Sequence, residues 1–167
     1  MTVQLSHFDP DVTYALQKKF DCGVEVINNF VKNSLKQQVR KSLSVAYVLT
    51  DASESDKFIG FYTIAQHHIK VLPESIYSGS LPNAIPCSRL IMLGVDKGYQ
   101  GKKYGSMLMK HALELTKNAA RQIGSFGMYL DADPGAVNFY TSLGFHLLNG
   151  NAAPSPSPMF IPISSIA

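Results

Sequence analysis

One segment limits what this chain can become more than any other. In Leu93-Gly94-Val95-Asp96-Lys97-Gly98-Tyr99-Gln100-Gly101-Lys102-Lys103-Tyr104-Gly105-Ser106 an apolar run meets a glycine-containing turn and then a helical pattern. Arg89 to Val95 reads as a strand. Beyond the turn, Tyr104, Leu108, His111, Ala112, Leu115 and Ala119 recur at helical spacing, so a helix is expected from Gly101 to about Ile123. A turn of small residues at a helix start aims several backbone N–H groups at one point, where the positive end of the helix dipole also lies. That geometry suits a phosphate or pyrophosphate. Taken alone, such a segment is more often only a turn.

A second segment changes the reading. Ala136-Val137-Asn138-Phe139-Tyr140-Thr141-Ser142-Leu143-Gly144-Phe145 reads as a short helix closed by Gly144, followed by a strand. The pair of segments resembles the GCN5-related N-acetyltransferases, whose signature is Gln/Arg-x-x-Gly-x-Gly/Ala with a downstream Ala-x-x-Phe-Tyr-x-x-x-Gly-Phe. Gln100, Gly105, Ala136, Phe139, Tyr140, Gly144 and Phe145 fall on that pattern. Lys103 stands where the family usually has its middle Gly, so a close backbone approach is replaced by a cation able to face phosphates.

The resemblance implies an α/β fold: a central mixed sheet, flanked by helices, whose splayed middle strands admit the pantetheine arm of acetyl-CoA. It implies cofactor contacts from Gln100, Gly101, Lys102, Lys103, Tyr104, Gly105, Ser106 and Asn138. Leu93 and Val95, at the strand end, can offer backbone groups to the pantetheine amides, and a bulge there would turn a backbone N–H toward the thioester oxygen. Tyr140 is expected to donate to the departing thiolate, because a phenol of pKa ~10 stays protonated at neutral pH. Phe139 is expected in the core.

Composition agrees with one domain spanning residues 1–167. With 46% apolar residues the chain can bury a sizeable core without disulfide or metal. No apolar run reaches the ~18 residues of a membrane span, and the N-terminus lacks a basic-then-apolar signal. Two cysteines, Cys22 and Cys87, are too few for a disulfide framework, so a reducing cytoplasm is expected. The histidines show no metal spacing; His67 and His68, adjacent on a strand, should point to opposite faces, and no metal is expected.

The remaining elements alternate. Strands are expected at Val3 to Phe8, Ser44 to Leu49, Phe58 to Ile69, Phe126 to Leu130, Phe145 to Leu148 and Met159 to Ile163. Helices are expected at Val12 to Lys19, at Val24 to Lys41 and from about Pro134. Asp51 to Lys57 reads as a polar turn, Leu72 to Pro86 as irregular, and Gly150 to Pro158 as a Pro-rich loop.

The N-terminal third narrows the resemblance. Phe20-Asp21-Cys22-Gly23 opening a helix that ends in basic residues, then Tyr47-Val48 and Gly60-Phe61-Tyr62-Thr63, is similar to the acetyltransferase toxins of bacterial type II toxin–antitoxin pairs; Ile85-Pro86 also fits. That group often reads Gly-Arg-Leu-Ala-Val/Ile-Asp where this chain has Ile91-Met92-Leu93-Gly94-Val95-Asp96. The strand Arg is thus replaced by Met92, and Arg89, three residues earlier, should lie on the other strand face.

Such toxins acetylate the α-amine of charged tRNA, act as homodimers, and are neutralised by a ribbon-helix-helix antitoxin through which alone they meet DNA. Lys32, Lys36 and Arg40 repeat every four residues with Lys41 beside them, a stripe able to track phosphates, and Arg89 is a further candidate contact. A row of charge is also the ordinary solvated face of a helix, and a net charge of +3 is modest for a nucleic-acid binder. An α-amine of pKa ~8, against ~10.4 for lysine, is partly neutral without a strong base. That suits a chain with no well-placed Glu in a candidate base position; Asp131, Asp133 and Glu25 stay open as bases, with Asp133 better suited to cap the following helix. Two other readings remain open: an acetyltransferase for a small or peptide amine, and a non-catalytic acyl-CoA-binding co-repressor.

Overall fold

The computed structural model describes residues 2–149 and 156–167. Within it the chain packs as two compact units. One takes the chain up to Ala65 and again from Met92 to His111; the other takes Gln66 to Ile91 and Ala112 to the C-terminus.

In the first unit, β1 (Val3–His7) pairs antiparallel with β2 (Val45–Asp51), and β2 with β3 (Lys57–Ile69). Helices α1 (Glu25–Asn33) and α2 (Leu35–Arg40) lay Val31 and Leu35 into a core with Phe8, Phe20, Ala46, Val48, Phe58 and Phe61. Phe20 meets Phe58 and Phe61 edge-on, with ring centroids 5.2 and 5.7 Å apart. Each fully buried phenylalanine contributes about 1.5–3 kcal/mol. Ile27, Phe30, Val31, Leu35 and Val39, spaced to fall on or near one helical face, pack on this core, while Val24 before them is exposed.

Two helical expectations need correction here. Val12 to Lys19 is not a helix; only Gln17–Lys19 makes a 3-10 turn, Leu16 is left-handed (φ 59°), and Ala15 bridges Lys57. Tyr14 and Phe20 both reach the aromatic core, which an extended segment permits and one short helix does not. Val24 to Lys41 is not one helix either. It breaks at Ser34 (φ −127°), after Asn33, where short polar side chains compete with helical backbone bonds.

In the second unit, Ser88 to Leu90 of β4 (Ile85–Val95) pair in parallel with Met128 to Leu130 of β5 (Gly127–Ala132). Strand β5 then pairs antiparallel with β7 (Ser157–Pro162), and β7 with the two-residue β6 (His146–Leu147). The sheet is therefore mixed, and the α/β class is as expected. Ile69, Leu72, Ile85, Cys87 and Phe160 form the unit's apolar cluster, with Ile76 and Leu81 from the irregular segment packed on it. Pro86, read as a breaker, is instead the second residue of β4; it is exposed, and its carbonyl accepts from Phe126 N–H at 2.7 Å. Of the Pro-rich stretch, 150–155 lie outside the described residues, and Ser157 and Pro158 already belong to β7.

Strands β3 and β4 and helix α3 (Tyr104–Gln122) each begin in one unit and end in the other. Helix α3 buries Leu108 and Ala112 as its periodicity requires, together with Met109 and Thr116. The last helix, α4 (Val137–Ser142), follows a 3-10 turn at Pro134–Ala136.

Candidate functional site

The turn after β4 is built by hydrogen bonds to a segment far away in sequence. Asp21 N–H donates to Asp96 Oδ2 (3.1 Å) and Lys97 N–H to the Asp21 carbonyl (2.8 Å). Asp96 Oδ1 accepts from Gly98 N–H at 3.0 Å, closing the turn locally. Gly94 has no side chain for a reason: a Cβ there would lie 3.1 Å from Ile27 Cγ2 and 3.2 Å from Cys22 Sγ. The Phe-Asp-Cys-Gly segment thus seats directly on the end of β4. Hydrogen bonds from Gly23 N–H and Asn28, with the nearby Lys97 ammonium, hold the Asp21 carboxyl below its usual pKa.

Gln100 is drawn into this lacing. Its Nε2 donates to the Cys22 carbonyl at 2.9 Å and the Val95 carbonyl at 2.8 Å, so the side chain expected at the cofactor braces the turn. Next come Gly101 (φ 80°) and Lys103 (φ 67°), two left-handed residues around Lys102. Lys103 adopts the conformation for which glycine is best suited, at a cost of about 1–2 kcal/mol. The first helical bond of α3 runs from Met107 N–H to the Lys103 carbonyl at 3.1 Å, so the amides of Gly105 and Ser106 precede any intrahelical acceptor. Gly101, Lys102, Lys103 and Ser106 are exposed, and Tyr104 and Gly105 are half-buried. Leu93 is half-buried, Val95 is buried, and the Val95 carbonyl already accepts one bond from Gln100.

Two arrangements here escaped sequence reading. Tyr99, buried just before Gln100, donates its hydroxyl to Asp51 at 2.9 Å, and Asp51 also accepts from Ser53 Oγ and N–H. In α3, His111 Nδ1 lies 2.6 Å from the Tyr62 hydroxyl, under the Tyr47 ring. Burial lowers the His111 pKa and raises that of Tyr62. Only the position of Tyr99 beside the turn was available as a signal.

In the second unit, Tyr140 on α4 is 8% exposed and packs edge-on against Phe145 and Phe139, at 5.7 and 5.2 Å. Its carbonyl accepts from Phe145 N–H at 3.1 Å across Gly144, whose φ of 106° makes the reversal the sequence implied. Among the described residues nothing accepts from the Tyr140 hydroxyl. Burial, and second the charge of Asp133, push that phenol up to about 12. Asn138 is exposed on the same helix. Asp133 precedes the 3-10 turn, but its side chain makes no cap bond; its carbonyl accepts from Ala136 N–H instead.

The remaining candidates separate. Lys32 is on α1, Lys36 and Arg40 on α2, so the stripe spans a helix break; Lys41 is exposed beyond it. Arg40 Nη2 donates to the Pro10 carbonyl (3.1 Å) and pairs with Asp11 (3.2 Å). Arg89 lies on β4 in the other unit, paired with Asp131 at 3.0 Å and lying over the Tyr129 ring. Tyr129 donates to the second Asp131 oxygen at 2.8 Å, so Asp131 is not a free base; Glu25 is exposed in the first turn of α1. His67 and His68, expected on opposite faces, bring their rings to 6.0 Å of one another. Among the described residues no group of three or more His, Cys, Asp or Glu is placed to hold a metal ion, and no helix is long and apolar enough to cross a membrane.

Residues 43–147 match the acetyltransferase (GNAT) domain family. The chain is 32% identical over 160 residues to the probable toxin TacT of Sinorhizobium fredii, covering 88% of this chain and 84% of that protein. Among solved structures it is similar to a bacterial toxin (TM-score 0.89, 37% identity, 98% of this chain and 92% of the other). It is also similar to AtaT complexed with acetyl-methionyl-tRNAfMet (TM-score 0.85, 28% identity, 98% and 96%). A tyrosine-to-phenylalanine mutant of AtaT, bound to acetyl-CoA and the C-terminus of the antitoxin AtaR, matches with TM-score 0.80 at 28% identity over 98% and 94%.

Proposed function

The chain belongs to the GNAT acetyltransferases and is an N-acetyltransferase related to the toxins of toxin–antitoxin systems, and from that premise we propose that it uses acetyl-CoA to acetylate the α-amine of aminoacyl-tRNA and so blocks translation. Both units would serve as one such domain, since the family match runs through parts of each. The reading includes a cytoplasmic homodimer held in check by a ribbon-helix-helix antitoxin, which alone would bring it to DNA.

The observation that carries it is the turn at Gln100 to Ser106. Left-handed Gly101 and Lys103 bend the backbone immediately before α3, which sets the Gly105 and Ser106 amides and two lysines beside the positive helix end. Such a turn suits the pyrophosphate of acetyl-CoA, which relative AtaT binds.

The chemistry needs a neutral amine to attack the thioester carbonyl, a C–N bond to form, the C–S bond to break, and a proton to reach the thiolate. Tyr140 stays protonated throughout the neutral range and no group among the described residues accepts from its hydroxyl, so it suits a donor to the developing sulfur charge. The proton leaving the attacking nitrogen goes to solvent, which an α-amine of pKa ~8 allows, and solvent returns one to the Tyr140 phenolate.

The test is incubation with labelled acetyl-CoA and a pool of charged tRNAs. N-acetylated aminoacyl-tRNA is the expected product. Acetylation of free amines or peptides with no labelled tRNA would overturn the tRNA assignment. For the turn, Gly105→Asp puts a carboxylate where the pyrophosphate belongs, and unchanged acetyl-CoA affinity by calorimetry would overturn that placement.

A further inference from the structure

Tyr99 gathers two cations. Its ring is buried and pinned through the hydroxyl to Asp51. Lys57 Nζ, at the first residue of β3, lies 5.1 Å from the ring centroid, and Lys102 Nζ, from the turn itself, lies 5.6 Å from it. Each ammonium is attracted to the ring, but the two repel one another. Among the described residues neither makes an ion pair.

The carboxylates around them are committed elsewhere. Asp51 accepts from Tyr99 and Ser53, Asp96 from Gly98 and Asp21, and Asp21 pairs with Lys97 at 3.6 Å. Glu54, exposed in the 3-10 turn Ala52–Glu54, is the remaining carboxylate acting on Tyr99. Two lysines that make no ion pair among the described residues, braced by one rigid ring beside a pyrophosphate turn, are arranged for a second, separate phosphate.

Coenzyme A carries such a group: a 3′-phosphate monoester one ribose away from its pyrophosphate. At neutral pH a monoester holds nearly two negative charges, and lysines meet it as point charges. We infer that Lys57 and Lys102, held over Tyr99, form the subsite for the 3′-phosphate of coenzyme A, an inference that rests on the acetyl-CoA reading above. The pair makes the enzyme select coenzyme A over its 3′-dephosphorylated form.

Calorimetry with coenzyme A and with 3′-dephospho-coenzyme A tests this on wild type, Lys57→Met and Lys102→Met. Methionine keeps the apolar stem on the ring and removes the charge. Wild type should prefer coenzyme A by roughly tenfold, the value of one or two exposed charge-assisted contacts. Lys57→Met should lose much of that preference while binding the dephospho form as wild type does, which also shows that it is folded. Lys102→Met, which also takes a charge from the pyrophosphate turn, should weaken coenzyme A more than the dephospho form. Equal weakening of both ligands, or a preference left intact, overturns the subsite. An intact preference with weakened charged-tRNA binding assigns the lysines to tRNA instead. If wild type binds neither ligand, the acetyl-CoA reading itself falls.

Discussion

Gln100 reaches across 78 residues of chain to Cys22: its Nε2 donates to the Cys22 carbonyl at 2.9 Å and, with its other hydrogen, to the Val95 carbonyl at 2.8 Å. One amide nitrogen therefore ties the N-terminal Phe-Asp-Cys-Gly segment to the strand end and to the turn that follows. This explains physically why those two motifs occur together: the second is braced by the first.

Gln100→Glu removes both donors and sets a carboxylate against two carbonyl oxygens. Stability in urea should fall by about 1–3 kcal/mol. Acetyl-CoA affinity should fall with it, because the turn loses its brace. A variant as stable as wild type would show that the amide contributes nothing to the fold.

Tyr140→Phe deletes a hydroxyl from which no group among the described residues accepts, so stability and acetyl-CoA binding should hardly change. Turnover should drop ~10²–10⁴-fold if the phenol supports the leaving thiolate. Full activity in the phenylalanine variant would remove Tyr140 from the chemistry.

Lys103 holds a left-handed conformation that costs a lysine about 1–2 kcal/mol, part of which glycine gives back as unfolded-state entropy. Lys103→Gly should thus stabilise the protein by up to about 1 kcal/mol in thermal unfolding. Acetyl-CoA affinity should decrease at low salt, since a cation beside the phosphates is lost. Destabilisation would indicate that the lysine side chain has packing value the strain conceals.

Lys32 and Lys36 make no ion pair among the described residues, whereas Arg40 is shared with Asp11 and Pro10. If α1 and α2 face tRNA, Lys36→Ala should flatten the log K against log salt slope by roughly one unit or less. Arg40→Ala should flatten it less. Equal slopes in wild type and Lys36→Ala would leave the stripe as a solvated surface.

Burial keeps His111 neutral beside Tyr62 by lowering its pKa below the ordinary value. The unfolded chain then takes up a proton near pH ~6.5 while the folded one does not, so stability is full above that pH and declines as pH falls below it. His111→Gln, neutral throughout, should flatten the acid side of the stability curve. An identical pH profile in the variant would show that His111 does not titrate on unfolding.

The amphipathic period of α3, the glycine at 144 and the apolar strand runs of β2 and β3 were readable because each signal sits within a few residues of what it shapes. The turn at Gln100 to Ser106 and Tyr140 were singled out from short patterns too, Tyr140 through the resemblance those patterns carry. The helix break at Ser34 was missed because the apolar period of Ile27 to Val39 continues through it, and a competing local hydrogen-bond preference interrupted it. Val12 to Lys19 failed as a helix because Tyr14 and Phe20 gain more from reaching the aromatic core than a short helix gains from its own bonds. The Cys22 carbonyl that Gln100 reaches and the side-chain hydrogen-bond partners of Tyr99, His111 and Arg89 lie from 42 to 78 residues away, and no local pattern encodes them. Which side chains meet at such separations is set by packing: strand register and core filling choose the apposed segments, and hydrogen bonds then satisfy whatever polar groups that packing has buried.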